Sequence, residues 1–262
     1  VYNNLLNIPQ NVPITQLKDW ENNQFAAPNG YFSGYYVNPY WEIDNNRKNA
    51  RNETFNGTGE LKYDFAKWLT ATYRLGIYNS NGNYKQYYQK VAYTTAYDRP
   101  TNNSGSVTDR ADNFRRLNSD FLLQANHSVG DFKFNLLVGN NVRNDFTKFT
   151  SETANALVVP GLYNVSNRVG EAAVSSDYTQ KRQVAVFGEL NVDYKDYLHL
   201  AVTGRNEWIS VLNTTNRSYF YPAAALSFVF TNAFPALKDN SPISFGKAYV
   251  SANKTANVNL GA

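Results

Sequence analysis

From Tyr178 to Phe230 the chain alternates apolar and polar residues in three segments. In the first, Val184, Val186, Leu190 and Val192 fall on one parity, and Gln183, Glu189, Asn191 and Asp193 on the other. In the second, Leu198, Leu200 and Val202 oppose His199, Thr203, Arg205 and Glu207. The third sets Phe220, Leu226, Phe228 and Phe230 against Tyr219, Tyr221 and Ser227. Successive side chains of a strand point to opposite faces, so each segment predicts a strand with one apolar and one polar side.

Earlier segments repeat the pattern. Phe55 to Phe65 places Phe55, Leu61, Tyr63 and Phe65 against Asn56, Thr58, Glu60, Lys62 and Asp64, and Trp68 to Tyr78 runs back with Leu69, Ala71, Tyr73, Leu75 and Ile77 on its apolar side. A second hairpin pairs Phe114–Ser128 with Phe132–Asn144, and a last strand is expected over Ile243–Asn253. Short links at Ala66-Lys67, Val129-Gly130-Asp131 and Lys195-Asp196 alternate with longer ones at Asn79–Asn113, Asp145–Asp177 and Ile209–Arg217. About eight strands with this rhythm predict an all-β fold, a transmembrane antiparallel β-barrel segment with long extracellular loops. A soluble β-sandwich shares the alternation; the length of the runs and their aromatic ends favour the barrel. Small barrels fill their interior with side chains. These polar faces are charged and Asn-rich, and suit the wet lumen of a larger barrel.

Residues 1–54 read as an extracellular loop region in which Pro13–Trp20 can form a short helix, with Leu17 and Trp20 at i, i+3. The Gly-, Tyr- and Asn-rich passage from Pro28 to Trp41 has loop chemistry. Residues 55–262 read as barrel strands and loops. The ending Asn259-Leu260-Gly261-Ala262 lacks the aromatic last residue common in complete bacterial barrels, which favours part of a larger barrel.

Composition narrows the classes. Hydrophobic residues make up 42%, yet no run approaches the roughly 20 apolar residues of a spanning helix, which excludes a helical membrane protein. Aromatics reach 15%, with 20 Tyr, and fit interfacial girdles and polar-tipped walls. There is no Cys, which removes disulfides, thiolate catalysis and zinc-thiolate sites. There is no Met either, and the start at Val1 has no signal-peptide pattern, so a processed precursor or an internal fragment is expected. The net charge of +4 is scattered, its tightest cluster Arg115-Arg116, and reads as solvated charge with no nucleic-acid partner.

The residues also carry a resemblance. Val186-Phe187-Gly188-Glu189-Leu190-Asn191-Val192-Asp193-Tyr194-Lys195-Asp196-Tyr197-Leu198 resembles a strand–turn–strand of SusC/RagA-type TonB-linked outer-membrane proteins. Thr203-Gly204-Arg205-Asn206-Glu207-Trp208 is similar to the family's T-G-R-N-D-W, with Glu207 in place of Asp and Ile209-Ser210 in place of a Ser pair. Asn216-Arg217-Ser218-Tyr219-Phe220-Tyr221-Pro222-Ala223, Ser244-Phe245-Gly246-Lys247 and Asn38-Pro39-Tyr40-Trp41 resemble further family runs, although Tyr249 stands where Arg is common. Together they cover about residues 38 to 251 in family order.

The resemblance implies a wall segment of a TonB-dependent transporter barrel of about 22 strands. It implies a SusD-like surface lipoprotein as cap, energy from TonB–ExbB–ExbD through segments absent from this chain, outer-membrane lipid outside, and an oligosaccharide or peptide ligand. The expected location is the outer membrane of a Gram-negative bacterium. Candidate contacts are Tyr35, Tyr36, Tyr40 and Trp41 near the mouth, Tyr84, Tyr87 and Tyr88 in the next connection, and Arg205 with Glu207 on the wet face. For the aromatics, packing of loops is the competing role, and for Arg205 and Glu207 a structural ion pair. No cofactor, metal or catalytic residue is expected. His127 and His199 lack zinc-ligand spacing, and no nucleophile elbow or phosphate loop appears. A glycosidase carboxylate pair stays open on sequence alone. Two rivals remain: a passive porin-like channel, and a soluble carbohydrate-binding sandwich.

Overall fold

The computed structural model describes residues 1–93, 102–239 and 242–256. Its centre is one eight-stranded sheet, whose order β1-β2-β3-β4-β5-β6-β7-β8 is the order of the chain. The strands are β1 Arg47–Ala66, β2 Leu69–Tyr88, β3 Ser106–Val129, β4 Phe132–Asn155, β5 Ala173–Tyr194, β6 Leu198–Ile209, β7 Ser218–Phe228 and β8 Ala248–Asn253. Among the described residues no helix is long and apolar enough to cross a membrane.

Five strands are much longer than the alternation predicted. β3 and β4 each run for 24 residues, against the roughly 9–11 that a tilted strand needs to cross a bilayer. β1 begins at Arg47 rather than Phe55, β2 continues to Tyr88, β3 starts at Ser106, β4 reaches Asn155 and β5 starts at Ala173. The physical reason is that the added residues are polar on both parities, as in Asn79–Gln86, so the ladder continues where the period-2 signal has vanished. At the other end, β7 stops at Phe228, and Phe230 opens the short helix α3 (Phe230–Ala233) instead of extending the strand. β8 is shorter than the Ile243–Asn253 expected. The ending Asn259–Ala262 lies outside the described residues.

The chain divides into two compact units. The first comprises Val1–Thr54, Ser80–Phe114 and Thr147–Tyr178, and the second Phe55–Asn79, Arg115–Phe146 and Thr179–Ala262. In the first unit the leading segment forms α1 (Tyr2–Leu6), a 3-10 turn at Ile14–Leu17 and α2 (Pro39–Asn45). The expected helix over Pro13–Trp20 is thus that one 3-10 turn, while the supposed loop at Asn38–Trp41 begins a true helix. Asn38 caps it by accepting from the Tyr40 amide, with Pro39 in the first turn, where a missing N–H costs nothing. Leu17, Ala26 and Tyr31 form a small buried cluster, with Ile8, Val12, Trp20 and Tyr40 packed against it. Asn38 is fully buried there and donates to the carbonyls of Leu17 (2.7 Å) and Ala26 (2.8 Å). Every polar atom of its amide is therefore used, as burial demands.

In the second unit, antiparallel register sorts the side chains. One face carries the rows Val192–Leu200–Leu226–Val250, Leu190–Val202–Ala224–Ala252 and Tyr194–Leu198–Phe228–Ala248. The opposite face carries Asp193–His199–Ser227–Tyr249, Glu189–Thr203–Ala223–Asn253 and Phe187–Arg205–Tyr221. No second layer covers the apolar face among the described residues, and Val186 and Leu226 stay more than 40% exposed. A run of aromatic contacts borders it near the short turns. Phe134 meets Phe132 (6.1 Å between centroids), Phe132 meets Tyr194 (4.6 Å) and Tyr194 meets Tyr197 (5.5 Å). The run continues from Tyr197 to Phe228 (6.0 Å) and on to Phe234 (6.3 Å). An exposed apolar sheet face edged by aromatics is what hydrocarbon with an interfacial girdle selects.

Candidate functional site: the polar wall

Opposite the apolar face, the second unit builds a wall of interlocked charges and amides. Asp145 sits between two guanidinium groups, 2.7 Å from Arg143 Nη2 and 2.8 Å from Arg116 Nε. Arg74 Nη2 lies 2.6 Å from Glu60 Oε2. Asn141 donates to Asp120 (2.6 Å) and to Asn118 (3.0 Å), and Asn118 donates to Asp120 at 2.8 Å. Arg205 Nη2 is 3.0 Å from Glu207 Oε1, and the Gln183 amide donates to the same oxygen. Nearer the turns, His199 Nδ1 and Asp193 Oδ1 are 2.6 Å apart. Each carboxylate here is met by a donor, so the wall is strongly polar with little uncompensated charge.

Arg205 is further positioned by a ring. Its guanidinium lies 5.5 Å from the centroid of Phe187, its cross-strand partner on β5. Phe187 in turn covers Gly139, where a Cβ would fall 2.4 Å from the ring. Any larger residue at 139 would force that ring or Leu122 to shift. Glu207, opposite Ala185 and Tyr219, is buried at 9% exposure.

The first unit holds the remaining candidates. Tyr35 is the most open of them at 85% exposure, Tyr36 is half-buried and Trp41 is buried. Tyr40 packs on the Leu17 cluster. Tyr84 donates to Gln86, which donates to Tyr88, so both tyrosines share one amide, and Lys48 Nζ lies 4.9 Å from the Tyr84 ring. Tyr87 stands apart from them, stacked on Tyr163 at 3.8 Å and 20°. Tyr163 donates to Gln89 Oε1 at 2.7 Å, and burial, then the neighbouring Tyr87, pushes its hydroxyl pKa up.

The structure thus pairs Arg205 with Glu207 and links Tyr84 with Tyr88. Sequence reasoning missed Glu60, Arg74, Arg116, Asp120, Asn141, Arg143 and Asp145 as members of the same wall. Parity placed Glu60, Asp120 and Asn141 on the polar side, while Asp145 read as the start of a connection. Arg143 and Asp145 pair two residues apart on one strand, whereas the partners of Arg74, Arg116 and Asn141 lie 14 to 29 residues away. Only strand register reveals such pairs.

Known proteins share this architecture. The TonB dependent receptor-like β-barrel family matches residues 3–257. TonB-dependent receptor P26 of Formosa agariphila (strain DSM 15362 / KCTC 12365 / LMG 23005 / KMM 3901 / M-2Alg 35-1) is 27% identical over 128 residues, covering 47% of this chain and 13% of that protein. The RagAB peptide importer in its open-open state superposes with a TM-score of 0.76 at 15% identity, over 86% of this chain and 24% of that one. The RagAB peptide transporter gives 0.72 at 14%, over 82% and 24%. Identities this low speak for the fold alone. The chain spans about a quarter of those transporter chains and 13% of the curated relative. With a match across nearly its whole length, the chain belongs to the TonB dependent receptor-like β-barrel family.

Proposed function

We propose that this chain is part of the wall of an outer-membrane importer that takes up oligosaccharides or peptides with energy from TonB–ExbB–ExbD. The observation that carries the reading is the division of one sheet into an exposed apolar face and a face of paired charges and amides. The first meets outer-membrane lipid and the second borders water inside the barrel. The family assignment supports the outer membrane and TonB dependence. Likeness of fold to the RagAB peptide importer makes a peptide one cargo class, and a SusD-like surface lipoprotein enters as the partner that the sequence resemblance implies.

In this reading residues 1–54 form an extracellular region and residues 55–262 form barrel strands and loops. Asn, Arg and Glu side chains of the wall exchange hydrogen bonds with sugar hydroxyls or peptide backbone, and tyrosines offer flat faces. Tyr35, Tyr36, Tyr84 and Tyr88 would meet cargo at the mouth, Tyr40, Trp41 and Tyr87 would shape the loops that present them, and Arg205 with Glu207 would line the passage.

Uptake by the intact transporter containing this chain is the test. Cells carrying Arg205→Ala/Glu207→Ala, with normal levels of folded barrel, should take up labelled cargo several-fold more slowly at low concentration. Removal of TonB should abolish uptake altogether. Uptake that persists undiminished without TonB would instead establish a passive channel.

A further inference from the structure

We propose that Arg205 is the point at which the polar wall takes a carboxylate carried by the cargo, with Phe187 and Glu207 as the residues that position it. The inference rests on the importer reading above and deepens it, and every residue it uses lies in the second unit.

The arginines of the wall differ from one another. Arg74 turns both Nε and Nη2 onto Glu60, and Arg116 and Arg143 turn the same two nitrogens onto Asp145. Arg205 spends only Nη2, on Glu207 Oε1 at 3.0 Å, and its Nε and Nη1 have no hydrogen-bond partner among the described residues. Glu207 is used up by contrast. The oxygen that meets Arg205 also accepts from the Gln183 amide, and its side chain is 12% exposed against 36% for Arg205. What this part of the wall has to spare is donors, on the partner that meets water.

The same guanidinium is held in place. It lies 5.5 Å from the centroid of Phe187, its neighbour on β5, and its neighbour on β7 is Tyr221. Phe187 has little room to swing, because its ring sits over Gly139, where a Cβ would fall 2.4 Å away, with Leu122 beside it. Clamped by the ring and by Glu207, Arg205 has already lost much of the rotamer freedom that a long side chain gives up on binding.

This arrangement selects its guest. A guanidinium offers parallel N–H groups in a planar fork, which match the two oxygens of a carboxylate. Amide N–H groups and hydroxyl protons of a cargo find no comparable acceptor, since Glu207 is committed. Glu207 also shares the guanidinium, so a doubly charged phosphate is repelled more than a singly charged carboxylate. The face of Phe187 is taken by Arg205, which makes the ring a support rather than a platform for a sugar. An acidic side chain or chain end of a peptide, and a uronate of an oligosaccharide, both carry the required group.

The test is binding to the detergent-purified intact transporter containing this chain, followed by microscale thermophoresis at low salt. Two matched pairs of probes separate the sources of the carboxylate: triglutamate against triglutamine amide, and trigalacturonate against its methyl ester. In at least one pair the carboxylate form should bind roughly tenfold tighter or more, the worth of one charge-assisted contact. A preference confined to one pair assigns the peptide or the uronate as the source, and no preference in either pair overturns the proposal. Arg205→Gln should erase the preference. Phe187→Leu should reduce it several-fold while leaving binding of the neutral form unchanged, which a general loss of structure would not do. Unchanged heat-modifiable gel mobility will establish that each variant is folded. Should Arg205→Gln misfold, Arg205→Gln/Glu207→Gln, which leaves no buried carboxylate unpaired, takes its place. A folded Arg205 variant that keeps the preference overturns the proposal, and a preference undiminished in Phe187→Leu overturns the positioning role of that ring. TonB-dependent uptake is not the readout, so failure here leaves the importer reading standing.

Discussion

Leu200 and Thr203 lie three residues apart on β6 and face opposite ways. Leu200 is flanked across the ladder by Val192 and Leu226, whereas Thr203 stands between Glu189 and Ala223 on the polar wall. An arginine at Leu200 must place its charge in hydrocarbon, at a cost of roughly 2–4 kcal/mol near mid-membrane. Leu200→Arg should therefore impair assembly of the intact barrel, read as loss of the heat-modifiable band, while Thr203→Arg should assemble. The reverse outcome would turn the sheet inside out. Gly139 gives a second test at this scale. A Cβ there meets the Phe187 ring at 2.4 Å and Leu122 at 2.9 Å, whereas at Gly188 the nearest atom is 3.7 Å away. Gly139→Val should lower barrel stability by about 1–3 kcal/mol through overpacking, seen as an earlier thermal transition. Gly188→Ala should be tolerated. Parity alone disclosed the faces of Leu200 and Thr203. The need for glycine at 139 was hidden, because it depends on a ring 48 positions later in the chain.

At the scale of elements, the turn joining β5 and β6 places Lys195 and Asp196 at φ of 50° and 58°. Two successive positive φ values match the twist of a tight hairpin, although neither residue is the usual Asn or Gly. The neighbouring turn helps hold them, with Lys133 Nζ 2.6 Å from Asp196 and Lys195 Nζ 3.2 Å from Asp131. The hydrogen bond from Lys133, then its charge, lowers the Asp196 pKa, and the same contacts raise that of Lys133. The sign follows. Stabilisation of the turn by Asp196 is complete above the ordinary Asp value near 3.9 and is lost as pH falls through the depressed folded value. On the alkaline side, the contribution of Lys133 is full below its ordinary value and disappears as pH rises through the raised one. Hydrogen-exchange protection of the Tyr197 amide, bonded to the Tyr194 carbonyl at 3.2 Å, should fall in acid in the native protein. In Asp196→Asn it should be lower at neutral pH and flat across that range. Strand cores were legible wherever one face had to be greasy. The stretches of β1–β5 that fall in the first unit were not, since residues polar on both parities remove the alternation while leaving the ladder intact. Helix α2 was missed for another reason: Asn38-Pro39 is a good helix start, but the Gly-, Tyr- and Asn-rich residues before it read as continuous loop.

For the whole molecule, strand order alone makes a prediction. β1 and β8 each have a single neighbour among the described residues, and the apolar face has no cover. The 262-residue chain produced by itself should pellet from detergent-free buffer, because open ladder edges and bare leucines both recruit further copies. A monomeric, detergent-free species in sedimentation velocity would contradict the membrane reading of that face. The order of the strands and the wetness of one side could be anticipated. The cross-strand share of the pairing that quiets the wall could not, because it is a property of register, whereas Arg205 with Glu207, two residues apart on one strand, was legible as a pair of one parity. That pairing has a mechanical consequence. In the proposed importer, with Asp145 clasped by two guanidiniums and Glu207 by one, a solute sliding past these carboxylates would meet paired rather than lone charge and trade one brief contact for another, so this stretch of surface would behave as a low-friction lining rather than a trap.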